Sequence, residues 1–317
     1  MQKQPTGIRR SLGRREFLGG MAASALPLLT SATLSRLVAA EPASGSAAAM
    51  APGLIIRERE PMNLEFPFSA LEERIIPNER FFVRSHFAIP KLDVAAWRLK
   101  VDGVVERPFE LTYDELRAMG SKTVTATLEC AGNSRAMVVP KASGLLWQLG
   151  AVGNATWTGV PLSTVLEKAG VRGGAVDVIL EGADTGAIND EPKSPGVVSF
   201  ARSLPMEKAL RPEVLLAYQM NGADLPLEHG YPLRVVVSGW YGMASVKWLS
   251  RVTVVDKPFD GYWQTFQYSH WDRASGQPVM RPVTEMQVKS EIARPAFHER
   301  VAPGKPYRVF GAAWAGE

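Results

Sequence analysis

Thr127-Leu-Glu-Cys-Ala-Gly-Asn-Ser-Arg135 is the stretch from which the rest of the chain is read. Its approach, Val124 to Leu128, is rich in β-branched residues and reads as a strand. That strand delivers Cys130, the single cysteine among 317 residues, to the start of a Gly/Asn turn. A cysteine at a strand end, beside a turn and an arginine, is placed to be exposed and held as thiolate. The other ligands of a zinc site are not close in sequence, and no C-x-x-C-H run is present to attach a haem. From residue types alone three roles stay open: a small buried hydrophobe, a metal thiolate, or a nucleophile with a histidine partner.

Around this stretch the chain alternates short strands with a few helices. Trp97 to Asp102 alternates apolar and polar residues and turns at Gly103, as a half-buried strand does. Thr112 to Met119 starts with an N-cap residue and an acidic first turn, and Pro161 to Gly170 is a second helix with a glycine stop. Val176–Leu180, Leu233–Val237 and Val252–Val255 are strand candidates. Without a regular βαβ alternation, this mixture predicts an α+β fold. From Val288 onward the chain reads as strands, Val288 to Ala293 and Pro306 to Trp314, too short a segment to close a core by itself.

The N-terminal residues carry a different signal. Gly13-Arg14-Arg15-Glu16-Phe17-Leu18 precedes an apolar run from Gly19 to Leu34, and Val38-Ala39-Ala40 supplies small residues for cleavage. This pattern resembles a twin-arginine export signal, a route usually taken by proteins that fold, often around a cofactor, before export, and it predicts a periplasmic protein. Residues 41–52, rich in Ala, Ser and Pro, read as a flexible lead-in. The formal charge of +4 belongs to this leader. Setting aside its six basic and one acidic residues turns 36 basic and 32 acidic residues into 30 and 31. A net charge of −1 leaves no argument for a nucleic-acid partner. No membrane span is read in the mature chain.

Three separated stretches carry a family resemblance. Glu129-Cys-Ala-Gly-Asn-Ser-Arg135 resembles the molybdenum-binding loop of the sulfite oxidase family, whose cysteine ligates the metal. Phe81-Phe-Val-Arg-Ser-His-Phe-Ala-Ile-Pro90 is similar to the segment that sets an arginine beside the metal and a histidine near the pterin. His229-Gly-Tyr-Pro-Leu-Arg-Val-Val-Val237, continuing to Ser245-Val-Lys-Trp-Leu249, is similar to the region that holds the pterin and its phosphate. The match runs in order from about Asn63 to Glu317.

The resemblance implies one molybdenum–molybdopterin per chain, with Cys130 as metal ligand. It implies Phe82, Val83, Arg84, Ser85, His86, Asp184, His229, Arg234, Ser245, Val246 and Lys247 as cofactor contacts. Arg84 and Arg135 would hold an oxyanion through charge-assisted hydrogen bonds. Tyr268, just before the second domain, and Trp147, as a pocket wall, complete the implied site. Ser134 and Ala244 stand where animal sulfite oxidases carry arginine. His270 and His298 match no cofactor position and are read as structural.

The implied architecture is a sulfite-oxidase-type molybdopterin domain over residues 53–270. Residues 271–317 are then the N-terminal part of an immunoglobulin-like β-sandwich through which the family dimerises. The implied reaction is oxidation of sulfite to sulfate, with electrons passed singly to a cytochrome c. A related activity on another oxyanion, a sulfane sulfur or a sulfoxide is the enzymatic alternative. An exported β-rich binding module with a structural cysteine is the non-enzymatic one, and it predicts no molybdenum in the purified protein.

Overall fold

The Lys122–Glu129 strand pairs antiparallel along its whole length with Val152–Pro161, from Lys122 opposite Gly159 to Glu129 opposite Val152. A computed structural model describes residues 53–316. The leader and the lead-in lie outside the described residues. Val152–Pro161 pairs in turn with Val214–Met220, which also pairs with Arg234–Val237 and with the short Ala223–Asp224 strand. A second five-stranded sheet runs in the order Phe109–Leu111, Leu99–Gly103, Leu249–Val255, Asp177–Gly186, Val198–Pro205. Its one parallel contact joins Leu249–Val255 to Leu99–Gly103. Mixed sheets with few helices agree with the α+β expectation.

Local sequence signals account for the helices. Thr112 caps Tyr113–Arg117 with a reciprocal capping box: its hydroxyl accepts from the Glu115 amide at 3.1 Å, and the Glu115 carboxylate accepts from the Thr112 amide at 2.8 Å. This satisfies amides that the first turn leaves without partners. Leu162–Ala169 buries Leu162, Val165, Leu166 and Ala169, the spacing of one helical face. It stops at Gly170, whose φ of +69° suits a residue without a Cβ.

Two apolar clusters hold the sheets. One gathers Trp97, Leu99, Val101, Leu180, Val252 and Trp263, and the other Phe66, Phe81, Trp147, Trp157 and Val236. Trp157 shows how this core reaches toward function. Its indole is fully buried, its Nε1 donates to the Ala126 carbonyl at 3.2 Å, and the Arg234 guanidinium sits 4.9 Å over its ring.

The C-terminal strands Lys289–Arg294 and Phe310–Trp314 form a hairpin, preceded by a shorter one of Ser269–Asp272 and Val279–Pro282. Phe310, Ala312 and Trp314 are partly buried against the second cluster, whereas Val288, Ile292, Phe297 and Val309 are exposed. Among the described residues, no helix is long and apolar enough to cross a membrane.

Candidate active site

A cavity opens where strands of both sheets meet the Phe81–Phe87 segment. Cys130, Arg84, His86 and Tyr268 line it together with Asp184, His229, Arg234, Ser245 and Lys247. Residues far apart in sequence thus converge on one space.

The cysteine turn is fixed by hydrogen bonds on both sides. The Cys130 amide donates to the Ala151 carbonyl at 2.9 Å, and its carbonyl accepts from the Asn133 amide at 2.8 Å. Asn133 closes the turn with its side chain, accepting from the Ala151 amide at 3.1 Å and donating to Glu129 at 3.1 Å. Glu129 is almost wholly buried and also accepts from Trp314 Nε1 at 2.8 Å and Lys289 Nζ at 3.1 Å. The C-terminal hairpin therefore braces the loop that presents the thiol, which is partly exposed.

Opposite lies the Val83–Arg84 strand, paired with Asn63 and Leu64. Asn63, fully buried, accepts from the Ser85 amide at 2.9 Å and from Arg84 Nη1 at 3.3 Å. Arg84 also donates to the Ser85 carbonyl. These contacts aim the guanidinium before any ligand arrives. His86 Nε2 lies 2.5 Å from the Tyr268 hydroxyl, and the imidazole stacks on Phe200 at 4.3 Å. Burial, then the charges of Arg84, Lys247 and Arg202, hold His86 well below its ordinary pKa. Burial raises the Tyr268 phenol, with Arg84 opposing the rise. At neutral pH the pair is a neutral imidazole and a protonated phenol sharing one short hydrogen bond.

The far end of the cavity is cationic. Lys247 Nζ donates to Ser85 Oγ at 3.0 Å and to the Glu228 carbonyl at 2.8 Å, and lies 4.2 Å over the Trp248 ring. Trp248 is fully buried with φ at +51°, a strained conformation for a bulky residue of the kind found at functional sites. Arg234 donates to the His229 carbonyl at 3.0 Å and to the Ser245 carbonyl at 3.1 Å. Burial lowers its pKa to about 9, and it remains charged at neutral pH. Asp184 is the opposite charge. Its buried Oδ1 has no hydrogen-bond partner, and burial raises its pKa while Lys247 opposes the rise. Lys247 is lowered, first by burial and then by Arg234.

Comparison with known proteins follows this geometry closely. Residues 86–263 match the model of the oxidoreductase molybdopterin binding domain. Sulfite oxidase of Gallus gallus is 39% identical over 281 residues, covering 84% of this chain and 59% of that protein. Sulfite oxidase of Arabidopsis thaliana is 34% identical over 267 residues, covering 80% of this chain and 68% of that protein. In three dimensions the chain resembles the sulfane dehydrogenase SoxCD of Paracoccus pantotrophus, with a TM-score of 0.69 and 34% identity. That likeness covers 80% of this chain and 62% of the other. The chain belongs to the molybdopterin-binding oxidoreductases. It spans less than two thirds of the length of the Gallus gallus protein.

The residues present fit the cofactor of this family. A thiol stands at one end of the cavity, and Arg234, Lys247 and Ser245 at the other suit an anionic phosphate. Asp184 Oδ1, buried and unpartnered, suits the N–H groups of a pterin. A Cβ on Gly182 would lie 2.6 Å from that oxygen and 2.7 Å from the Lys247 carbonyl, so only glycine leaves the approach open. Among the described residues, no three His, Cys, Asp or Glu side chains group to hold a metal. The further donors for a metal at Cys130 would come from the pterin, whose sulfurs match a soft thiolate.

Four expected positions lie outside the cavity lining. Trp147 does not line the cavity. It is fully buried in the same cluster as Phe81 and Phe82, which do line it, because its apolar face completes that core. Arg135 is also off the wall, since Nη1 turns back to the Leu145 carbonyl at 3.3 Å; its charge still bears on the Tyr268 phenol. Val83 and Val246 are buried, and their side chains serve packing rather than the cavity surface. Phe82, Arg84, Ser85, His86, Cys130, Asp184, His229, Arg234, Ser245, Lys247 and Tyr268 line one cavity.

Asn63, Glu129 and Lys289 were not legible as site residues. Glu129 adjoins Cys130, but its partners lie about 160 and 185 residues away, and no local pattern marks them. Lys289 Nζ also donates to Ser134 Oγ at 2.8 Å, which sets a cation beside that hydroxyl.

His229 yields a pH prediction. Its Nε2 is 3.1 Å from the Asn78 carbonyl and acts as the donor, and burial, then Lys247 and Arg234, lower its pKa to about 3. The neutral folded form contributes stability above the unfolded value of 6.5, and this is lost as pH falls toward 3. Cofactor-free protein is expected to lose about 2–3 kcal/mol through this group between pH 7 and pH 4.5. Urea denaturation at both pH values checks it, and His229→Gln should flatten that part of the slope.

Proposed function

We propose that this chain carries the catalytic centre of an exported enzyme that oxidises sulfite to sulfate and passes electrons to a cytochrome c. The observation that carries the reading is the convergence of Cys130, pre-aimed Arg84 and the Tyr268–His86 pair on one cavity, with a cationic cradle beyond. The names of the similar sulfite oxidases point the same way. When bound, the molybdenum–pterin supplies the two-electron redox and oxygen-atom-transfer chemistry.

The chain's own residues bind, orient and balance charge. Arg84 receives an anionic substrate oxygen through charge-assisted hydrogen bonds. Tyr268, kept protonated by burial, donates from its hydroxyl toward the substrate, and neutral His86 anchors that hydroxyl without adding charge. Cys130 would hold the metal, Arg234, Lys247 and Ser245 would hold the phosphate, and Asp184 would accept from the heterocycle. Metal analysis combined with steady-state turnover of sulfite and cytochrome c tests the whole reading. Protein with stoichiometric molybdenum but no sulfite turnover overturns the substrate and keeps the cofactor. Oxidation of sulfane sulfur is the second reading, favoured by the likeness to SoxCD.

Export through the twin-arginine route is part of the proposal and rests on Arg14 and Arg15. Changing both to Lys is expected to leave folded, molybdenum-loaded protein in the cytoplasm and to empty the periplasmic fraction, read by immunoblotting of both fractions. Residues 271–317 are proposed to begin the dimerisation sandwich. The exposed Val288, Ile292 and Phe297 are the apolar surface a further β-layer would cover.

A further inference from the structure

The segment that carries Tyr268 is gripped from behind by a residue outside the cavity lining. Arg202, in the Val198–Pro205 strand, is fully buried. Its Nη1 donates to the Trp263 carbonyl at 2.5 Å and its Nη2 to the Val283 carbonyl at 3.0 Å. These are the same two residues whose backbones hold Tyr268. The Tyr268 amide donates to the Trp263 carbonyl at 3.3 Å, and the Val283 amide donates to the Tyr268 carbonyl at 2.8 Å. One guanidinium thus ties together both backbone neighbours of the phenol-bearing residue.

Its position relative to the ring adds a second effect. The guanidinium carbon lies 5.7 Å from the centre of the Tyr268 ring. Phe200, two residues earlier and so on the same strand face, stacks on His86, the hydrogen-bond partner of the Tyr268 hydroxyl. A single strand face therefore backs both members of the Tyr268–His86 pair. No carboxylate pairs with Arg202 among the described residues, and its Nε is buried without a partner. A buried cation without a counter-charge is costly, and a neutral donor could brace carbonyls more cheaply. Burial lowers its pKa only to about 10, so the charge persists at neutral pH. What the charge faces is the Tyr268 ring and, past it, the cavity.

We propose that Arg202 is a positioning residue that sets the Tyr268 phenol and, as an unneutralised cation behind the ring, strengthens the hold of the cavity on an anionic substrate. This rests on the reading of the site as anion-oxidising. Arginine suits both tasks, because its rigid fork spans two carbonyls while its charge is permanent. Lysine would keep the charge and lose the fork.

The test uses molybdenum-loaded protein and two variants, Arg202→Lys and Arg202→Met, each also combined with Tyr268→Phe. Sulfate affinity by isothermal titration, kcat and KM for sulfite, and hydrogen exchange over residues 263–268 are measured. Arg202→Met is expected to raise the sulfate Kd and the sulfite KM roughly tenfold. Arg202→Lys should hold both within about threefold of the parent. Both variants should speed exchange at the Tyr268 amide. The kcat penalty of either should disappear in the Tyr268→Phe background, since that part acts through the phenol.

Unchanged sulfate affinity in Arg202→Met would overturn the electrostatic role. Penalties that simply multiply in the double variants would overturn the action through Tyr268. If Arg202→Met does not fold, Arg202→Lys decides, and a large rise in sulfate Kd with the charge retained defeats the proposal. A parent that neither binds sulfate nor oxidises sulfite defeats the anion reading instead. In that case, fast exchange at Tyr268 in the parent separately overturns the bracing role, and slow exchange that quickens in Arg202→Lys supports it.

Discussion

Cys130→Ser is expected to abolish turnover while leaving the fold in place. Serine preserves the size of the side chain but replaces a soft, ionisable sulfur with a hard, weakly acidic hydroxyl. The backbone bonds that shape the loop, from the Cys130 amide to Ala151 and from the Asn133 amide back to the Cys130 carbonyl, do not involve the thiol. Asn133 and Glu129 brace the turn independently of it. Thermal unfolding should therefore shift little, and the pterin can still engage Arg234, Lys247 and Asp184. Altering a group that only supports a metal ligand typically costs 10–100-fold in affinity or activity, so losing the ligand itself should lower turnover by more than about 100-fold. Sulfite oxidation, molybdenum content and melting temperature, measured on one preparation, check the three statements together. Near-normal turnover would remove Cys130 from the metal.

Arg84→Gln is expected to separate anionic from neutral substrates. The guanidinium is oriented by Asn63 and the Ser85 carbonyl before a ligand binds, so its loss removes a charge already in position. Glutamine keeps one donor and loses the fork and the charge. A hydrogen bond to a charged group contributes about 1.5–3 kcal/mol, which corresponds to roughly tenfold to a hundredfold in sulfite affinity. The loss falls in KM if ground state and transition state are bound alike, and in kcat as well if the charge matters more during oxygen transfer. The ionic-strength dependence of kcat/KM should weaken with the loss of a steering charge. A neutral sulfoxide, tested beside sulfite, should register little of either change. If the parent turns over only the neutral substrate and the variant matches it, sulfite is not the substrate although the cofactor site stands.

Much of the local structure was legible because its causes are local. The Thr112–Glu115 capping box, the Gly170 stop, the strand entering Cys130 and the last two strands each depend on neighbouring residues. The strands Val152–Pro161, Val198–Pro205 and Val214–Met220 went unread. Val214–Met220 lies inside its sheet, and its almost wholly buried run lacks a two-residue alternation. Trp147 shows what packing adds. A tryptophan near a cofactor loop has the composition of a pocket wall, and only packing shows that its indole is core.

By itself the sequence determined the residue types of the site, the order of its motifs and the family to which they belong, since these are carried by short stretches with fixed spacing. The tertiary structure decided which charges face one another. Lys289 reaches Glu129 and Ser134, Arg202 brackets Tyr268, Asp184 is left buried beside Lys247, and Arg135 turns away from the cavity. Such electrostatic relations depend on distance and burial, which fall off over a few ångströms in space. No spacing along the chain encodes them until the sheets have packed.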